Sequence, residues 1–204
     1  MTSAENRSLL ICQYLFATIG AVALCDWTWV TVGAKRFQAT ESRRFDEKVN
    51  TAQAQTGIRR PQPRASAAQF EPPVAGSALA RLTIPDLGVA WIVVEGVSHR
   101  DLRMGPGHIP GTSFPGKPGN IGIAGHRDTV FRPLRSVRKG QIITLTTLQG
   151  EDQYRVAFTA VVSPQDTQVL KRTSRDTLTL VTCYPFDFVG PAPKRFIVEA
   201  ERVP

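Results

Sequence analysis

The sequence predicts an all-β domain, a closed or nearly closed β-barrel of about eight strands with short helices, preceded by an N-terminal membrane helix. From Leu79 onward, short runs rich in Val, Ile and Thr alternate with Gly/Pro turns at fairly regular spacing. Residues 9–25 are almost uniformly apolar. The stretch between these regions holds few large apolar residues. We therefore divide the chain into residues 1–33, 34–76 and 77–204.

The first part, residues 1–33, is predicted to be a short cytoplasmic tail followed by a transmembrane signal anchor. The apolar run from Leu9 to Cys25, extended by Trp27 and Trp29, approaches the ~20 residues that cross a bilayer as a helix. The two tryptophans suit the membrane interface. A cleavable signal peptide is an alternative, because Ala21-Val22-Ala23 imitates a small-x-small cleavage site. A buried soluble helix is a third alternative, which the shortage of polar residues disfavours.

Residues 34–76 are predicted to be a stalk and a Pro-rich linker. The first half is charged and rich in Ala and Gln, so it could continue the membrane helix as a solvated stalk. The second half, 57–76, contains four prolines, which predicts an extended and mobile segment.

The strands of residues 77–204 are predicted from their patterns and the turns between them. A Gly-containing turn joins the first two runs, which indicates a hairpin, and Gln149–Asp152 is the turn of a second hairpin. A short helix is expected at Ser98–Met104, followed by a Gly/Pro-rich connection over 105–119. The predicted strands are Ala80–Ile84, Val89–Val94, Asn120–Ala124, Gln141–Thr147, Gln153–Val162, Thr177–Thr182 and Phe196–Ala200.

Cys183 lies where the run Thr179–Thr182 ends, with Pro185 two residues later. Free cysteines are often small buried hydrophobic residues, and that is the simpler interpretation. A thiol at the end of a rigid strand is, however, well placed to act as a nucleophile. The other two cysteines, Cys12 and Cys25, lie in the apolar N-terminal segment, so Cys183 has no partner for an intrachain disulfide in the barrel domain. The strand-end position favours catalysis.

His126 and Arg195 are the residues expected to assist such a thiol. His126 follows the strand Asn120–Ala124 and its neighbour Gly125, while His99 and His108 lie in polar or Gly-rich stretches. Arg195 opens the last strand, and strand alternation predicts that its neighbour Lys194 faces the opposite way. A permanently charged guanidinium suits the stabilisation of an oxyanion.

Together these motifs resemble the sortase family of cysteine transpeptidases. The resemblance covers about Leu79 to Val203 and rests on a T-L-x-T-C strand, an upstream A-G-H and a downstream Arg that opens the last strand. It implies an eight-stranded barrel in which Cys183 is the nucleophile, His126 the general acid/base and Arg195 the group that binds the oxyanion and positions the substrate. It also implies that Thr182, Tyr184 and Pro185 contact the substrate. The segments 182–186 and 190–196 look closest to class D, with class E second.

The family resemblance further implies the partners of the reaction. These are exported proteins with an LPxTG-like C-terminal sorting motif and an amine acceptor in the cell envelope. The barrel would then lie on the extracytoplasmic side of the cell (inner) membrane. The charge pattern favours the opposite orientation, because Arg7 alone precedes the apolar run and four Lys or Arg residues follow it by residue 44.

Several other functions find little support in the sequence. The net charge of +8 is spread along the chain and is accompanied by no nucleic-acid recognition motif. Gly116–Gly119 lacks the spacing of a phosphate-binding loop, and the histidines and cysteines show no metal-ligand spacing, so no cofactor or metal is expected. Two alternatives stay open from the residues: a membrane-tethered cysteine protease that uses water as its acceptor, and a non-catalytic barrel that binds the envelope.

Overall fold

The computed structural model describes residues 3–56 and 73–204. The N-terminal helix is α1, Ser3–Thr56, and a short helix, α2, spans His99–Met104. Short 3₁₀ turns lie at Pro85–Leu87, Arg132–Ser136 and Gln168–Leu170. The strands are β1 Ala78–Ile84, β2 Val89–Glu95, β3 Gly107–His108, β4 Asn120–Ala124, β5 Ile142–Thr147, β6 Gly150–Val162, β7 Thr177–Tyr184 and β8 Lys194–Arg202.

The eight strands form a closed barrel, which confirms the eight-stranded β-barrel expected from the sequence. The strand order is β1-β2-β3-β4-β7-β8-β6-β5, and β5 closes the barrel by pairing antiparallel with β1. Most neighbours are antiparallel, but β2 pairs with β3, and β4 with β7, in parallel. The parallel β4–β7 pair brings two strand ends to the same rim of the barrel, although β5 and β6 lie between them in sequence.

Apolar side chains from the inner faces of the strands fill the barrel. The alternating burial of β1 and β5 follows the period of two that a half-buried strand requires. Phe131 and Leu134, from the segment after β4, close one part of the interior. At least ten aliphatic core residues are no more than 1% exposed, and they include Leu82, Ile84, Ile121, Ile123, Ile143, Leu145, Leu178, Leu180, Val198 and Ala200.

The outer face of β4 and β7 is covered rather than exposed. A Cβ atom at Gly122 would lie 3.0 to 3.2 Å from the side chains of Thr112, Leu170 and Ile109, so the covering segments pack tightly on this glycine. Asn120 donates to the carbonyls of Val169 and Lys171 at 3.0 and 3.1 Å. These contacts explain why β4 is buried along nearly its whole length.

The stalk predicted for residues 34–56 is helical, but it is not simply solvated. Gln38 is 8% exposed, and its side-chain amide bonds to the backbone of β2 and of α2. Phe45 is 4% exposed, and the guanidinium of Arg81 lies 5.7 Å from its ring centroid. Arg81 also binds Asp46 and Ser42 of the same helix. This part of α1 is therefore docked on the barrel.

Two other expectations are refined by the structure, and a third lies mostly outside the described residues. Strand β7 continues past Cys183 to Tyr184 and ends just before Pro185, which has no N–H to donate to a ladder. The connection 105–119 contains β3, a two-residue strand that the sequence analysis missed. The Pro-rich half of the predicted linker lies mostly outside the described residues, since 57–72 are not among them.

The predicted membrane span is not confirmed. Residues 9–25 are helical, as expected. Among the helices within residues 3–56 and 73–204, none combines the length and the apolar character that a membrane crossing requires.

Candidate active site

Cys183 and Arg195 are cross-strand partners in the β7–β8 pair. The antiparallel register pairs Thr182 with Phe196, Cys183 with Arg195 and Tyr184 with Lys194. Directly opposed residues in an antiparallel pair point to the same face of the sheet. Cys183 is a free, half-buried thiol, Arg195 is half-buried, and Lys194 is exposed. The predicted alternation between Arg195 and Lys194 is therefore observed.

His126 reaches the same rim through the parallel β4–β7 pair. The last register partners are Ala124 and Val181, so two steps further along each chain lead to His126 and Cys183. The Gly125 amide donates to the Val181 carbonyl at 3.1 Å. The buried hydroxyl of Thr182 donates to the Gly125 carbonyl at 2.7 Å. These two hydrogen bonds attach the turn that carries His126 to the strand that carries Cys183.

Gly125 is needed because the turn passes directly over Phe131. A Cβ atom at position 125 would lie 2.7 to 2.9 Å from the ring carbons of Phe131, which is completely buried. The Phe131 amide donates to the His126 carbonyl at 3.0 Å and closes the turn. The glycine therefore permits a close approach that any side chain would block.

The Arg195 guanidinium makes its hydrogen bonds within its own loop. It donates to the carbonyls of Ala192 and Lys194 at 3.2 and 3.0 Å. The β7–β8 connection thus holds the guanidinium near the strand end. Arginine suits this position because its fork carries further N–H donors that can serve a bound carbonyl oxygen.

Tyr184, one of the residues predicted to contact substrate, belongs to an aromatic cluster beside Cys183. The Tyr184 ring stacks on Phe196 at 6.2 Å between centroids and meets Phe186 edge-on at 6.1 Å. Pro185 follows directly and offers its carbonyl to the Arg127 side chain at 3.1 Å. Thr182 is 2% exposed, and its hydroxyl is already engaged with Gly125.

The other two histidines differ sharply from each other. His108 is completely buried, and its ring nitrogens lie 2.7 Å from a Glu95 carboxylate oxygen and 3.1 Å from the Ser113 carbonyl. It therefore supports the barrel and the connection after β3. His99 is exposed at the start of α2, and its ring centroid lies 6.4 Å from that of His126. Sequence patterns gave no sign that α2 brings a second imidazole to this rim.

Arg127 is the other residue at the site that sequence analysis missed. Its guanidinium donates to three backbone carbonyls of the β7–β8 connection: Pro185, Phe188 and Gly190. Carbonyl acceptors leave no signature in a sequence, so the position after His126 looks like one more surface arginine.

A closed barrel with a free thiol, an imidazole and a guanidinium at one rim is the architecture of a thiol-dependent acyl-transfer enzyme. A model of the sortase domain matches residues 82–203 of the chain. Sortase D of Bacillus subtilis is 39% identical over 132 residues, which span 64% of this chain and 67% of that protein. Sortase A of Bacillus anthracis is 27% identical over 61% of this chain and 60% of its own length. This chain belongs to the sortase family, whose members are cysteine transpeptidases.

Solved structures agree with that assignment. A sortase D5 transpeptidase from Clostridium perfringens superposes with a TM-score of 0.64 at 28% identity, over 83% of this chain and 98% of that one. Sortase A of Listeria monocytogenes gives a TM-score of 0.57 at 27% identity, over 62% of this chain and 88% of that one. The presence of two D-type sortases among these relatives agrees with the resemblance to class D.

Proposed function

We propose that Cys183, His126 and Arg195 carry out transpeptidation of an exported protein at the cell envelope. The observation that carries this proposal is the register of the rim: Cys183 faces Arg195 across β7–β8, and β4–β7 leads to His126 at the same level. Two independent strand pairings thus converge on a single thiol, which disfavours the inert-cysteine interpretation.

The proposed reaction begins with attack of the Cys183 thiolate on the carbonyl carbon of the threonine in an LPxTG-like motif. Arg195 binds the oxyanion of the tetrahedral intermediate. The C–N bond then breaks, and His126 gives its proton to the departing amine. In the second half, an amine of the envelope attacks the thioester, its proton passes to His126, and the Cys183 thiolate leaves. Water in place of the amine gives hydrolysis.

The neighbouring residues divide into two roles. Tyr184 and Pro185, which are half-buried beside the thiol, are proposed to line the substrate path. For Thr182, whose assignment as a substrate contact stays a prediction, the buried hydroxyl favours holding the His126 turn.

The N-terminal part is proposed to attach the enzyme to the cell membrane in a single pass, with the barrel on the extracytoplasmic side. Support comes from the large apolar side chains that α1 leaves exposed: Ile11, Tyr14, Leu15, Phe16, Ile19, Val22 and Leu24. The test is fractionation of cells followed by protease treatment of spheroplasts. Full protection of the barrel would contradict this orientation and favour the one indicated by the charge pattern.

Intact-mass spectrometry tests the chemistry. The full chain is mixed with a sorting peptide, and we expect the mass of the protein to increase by that of the acyl fragment of the peptide. An added amine should remove this adduct. Cys183→Ala should keep the circular dichroism of the barrel and form no adduct. Product analysis with and without the amine separates transpeptidation from hydrolysis. Peptide cleavage by Cys183→Ala would refute the assigned nucleophile.

A further inference from the structure

The connection between β7 and β8, residues 185–193, links the two strand ends that carry Cys183 and Arg195. It contains three prolines, and residues 187–191 are all exposed. A connection of this kind has few N–H groups that could hold it in place. Packing of Phe186 against Phe196 holds one end of the connection, and the side chains that bind its carbonyl groups hold it against the His126 turn.

Three of those carbonyls converge on one side chain. Arg127 donates through one terminal nitrogen to the Pro185 carbonyl at 3.1 Å. Its other terminal nitrogen donates to the carbonyls of Phe188 and Gly190, at 2.6 and 3.0 Å. The guanidinium also lies 5.9 Å from the centroid of the Phe188 ring. Carbonyl dipoles that point at a common centre repel one another unless a cation fills it, and a planar fork of donors suits three acceptors.

The position of Arg127 in the chain gives these contacts a consequence for catalysis. Arg127 directly follows His126, the proposed acid, in the chain. The same turn therefore carries both His126 and the side chain that binds the connection between Cys183 and Arg195. We infer that Arg127 is a positioning residue, which fixes the distance and angle between His126, Cys183 and Arg195 by holding the β7–β8 connection. This inference rests on the proposed function of those three residues.

The magnitude of the expected effect follows from the geometry that acyl transfer requires. A misplacement of about 1 Å in a reacting group can cost about a hundredfold in rate. Arg127→Ala should therefore lower kcat by about that factor, with little change in KM. Arg127→Lys keeps the charge but concentrates its donors at one point, so it should restore only part of the rate.

Arg135→Ala is the matched control. Arg135 contacts the same connection, but through an exposed ion pair with the Asp187 carboxylate at 2.9 Å. Exposed pairs of this kind contribute little, so this variant should keep the wild-type kcat.

Three measurements on the full chain test the inference. Kinetics are measured on the fraction of each variant whose circular dichroism matches that of the wild type, so that misfolded enzyme does not contribute. Amide hydrogen exchange over 186–190 should speed up in Arg127→Ala and less in Arg127→Lys. Thermal unfolding then separates positioning from stability, because a purely structural role would lower Tm without lowering the kcat of the folded enzyme.

Two results would overturn the inference in distinguishable ways. If the wild type forms the Cys183 thioester and Arg127→Ala keeps its kcat, Arg127 does not position the site, and the proposed function stands. If the wild type forms no thioester, the proposed function fails, and the role assigned to Arg127 fails with it.

Discussion

Gln38 provides hydrogen-bond partners for β2 at a position where no neighbouring strand pairs with it. Strand β3 is so short that it pairs only with Val94 and Glu95 of β2, which leaves the outward N–H and C=O of Ile92 without a strand partner. The side-chain amide of Gln38 fills this place. The Ile92 amide donates to its oxygen at 2.8 Å, and its nitrogen donates to the carbonyls of Ile92 and Met104 at 3.1 and 2.9 Å.

Gln38→Ala removes all three hydrogen bonds and leaves one buried N–H without a partner. A typical hydrogen bond contributes about 1 kcal/mol, and an unsatisfied buried donor costs about 1 to 3 kcal/mol. We therefore expect a loss of about 3 kcal/mol, which for a chain of this size lowers Tm by about 6 to 12 °C. The exposed Arg44, whose ion pair with Glu41 lies on the same helix, provides the control Arg44→Ala, which should leave Tm unchanged.

Gly105→Ala tests the same contact from the other side. A Cβ atom at Gly105 would overlap the amide nitrogen of Gln38 and lie 3.0 Å from the Ile92 carbonyl. The double variant should lose less stability than the sum of the two single variants, because both disrupt the same contact. Thermal unfolding of the full chain in mild detergent, together with hydrogen exchange at Ile92, gives the measurement. Strict additivity, or a Gln38→Ala protein with a fully protected Ile92 amide, would refute the reasoning.

Two further predictions concern β8. Arg195→Ala should lower turnover by roughly a hundredfold or more, because removal of an oxyanion donor costs about 3 kcal/mol, and Arg195→Lys should recover only part. Lys194→Ala is the control, and near-normal turnover of Arg195→Ala alongside an inactive Lys194→Ala would contradict the assignment. Burial, and secondarily the neighbouring charge of Glu201, raises the pKa of Glu199 above its ordinary value of 4.5. Ionisation of Glu199 therefore destabilises the folded state as pH rises through the raised pKa. Glu199→Gln should raise Tm at neutral pH and leave it nearly unchanged below pH 4.5. An equal gain in Tm at both pH values would show that the charge of Glu199 is not the cause.

Most of the barrel could be predicted from the sequence because its signals are local. The hairpin of β1 and β2 shows two apolar, β-branched runs joined by a Gly turn, and the strand that carries Cys183 ends just before a proline. Alternation along β8 distinguished Arg195 from Lys194, although only the structure shows that Arg195 lies opposite Cys183. These features depend on neighbours in sequence, which a single chain displays.

The features that were missed depend on contacts between distant parts of the chain. Strand β3 is two residues long, too short to show any periodicity. Gln38 lies in a polar stretch typical of a solvated helix, and only the gap beside β2 explains its burial. Arg127 binds carbonyl groups, and every residue carries one. The predicted boundary between 76 and 77 stays a prediction, but a chain that begins there would lack both Gln38 and Phe45.

The parallel pairing of β4 and β7 also determines when activity can arise during folding. The hydrogen bond that joins the His126 turn to the Cys183 strand spans 57 positions, and the loop between them contains the β5–β6 hairpin. Closure of so long a loop is slow compared with formation of a local hairpin. Arg195 arrives only with the final strand. A chain that is still folding therefore exposes the Cys183 thiol before the residues proposed as its acid and its oxyanion donor are in place, and we expect the proposed chemistry to begin only once the barrel is closed.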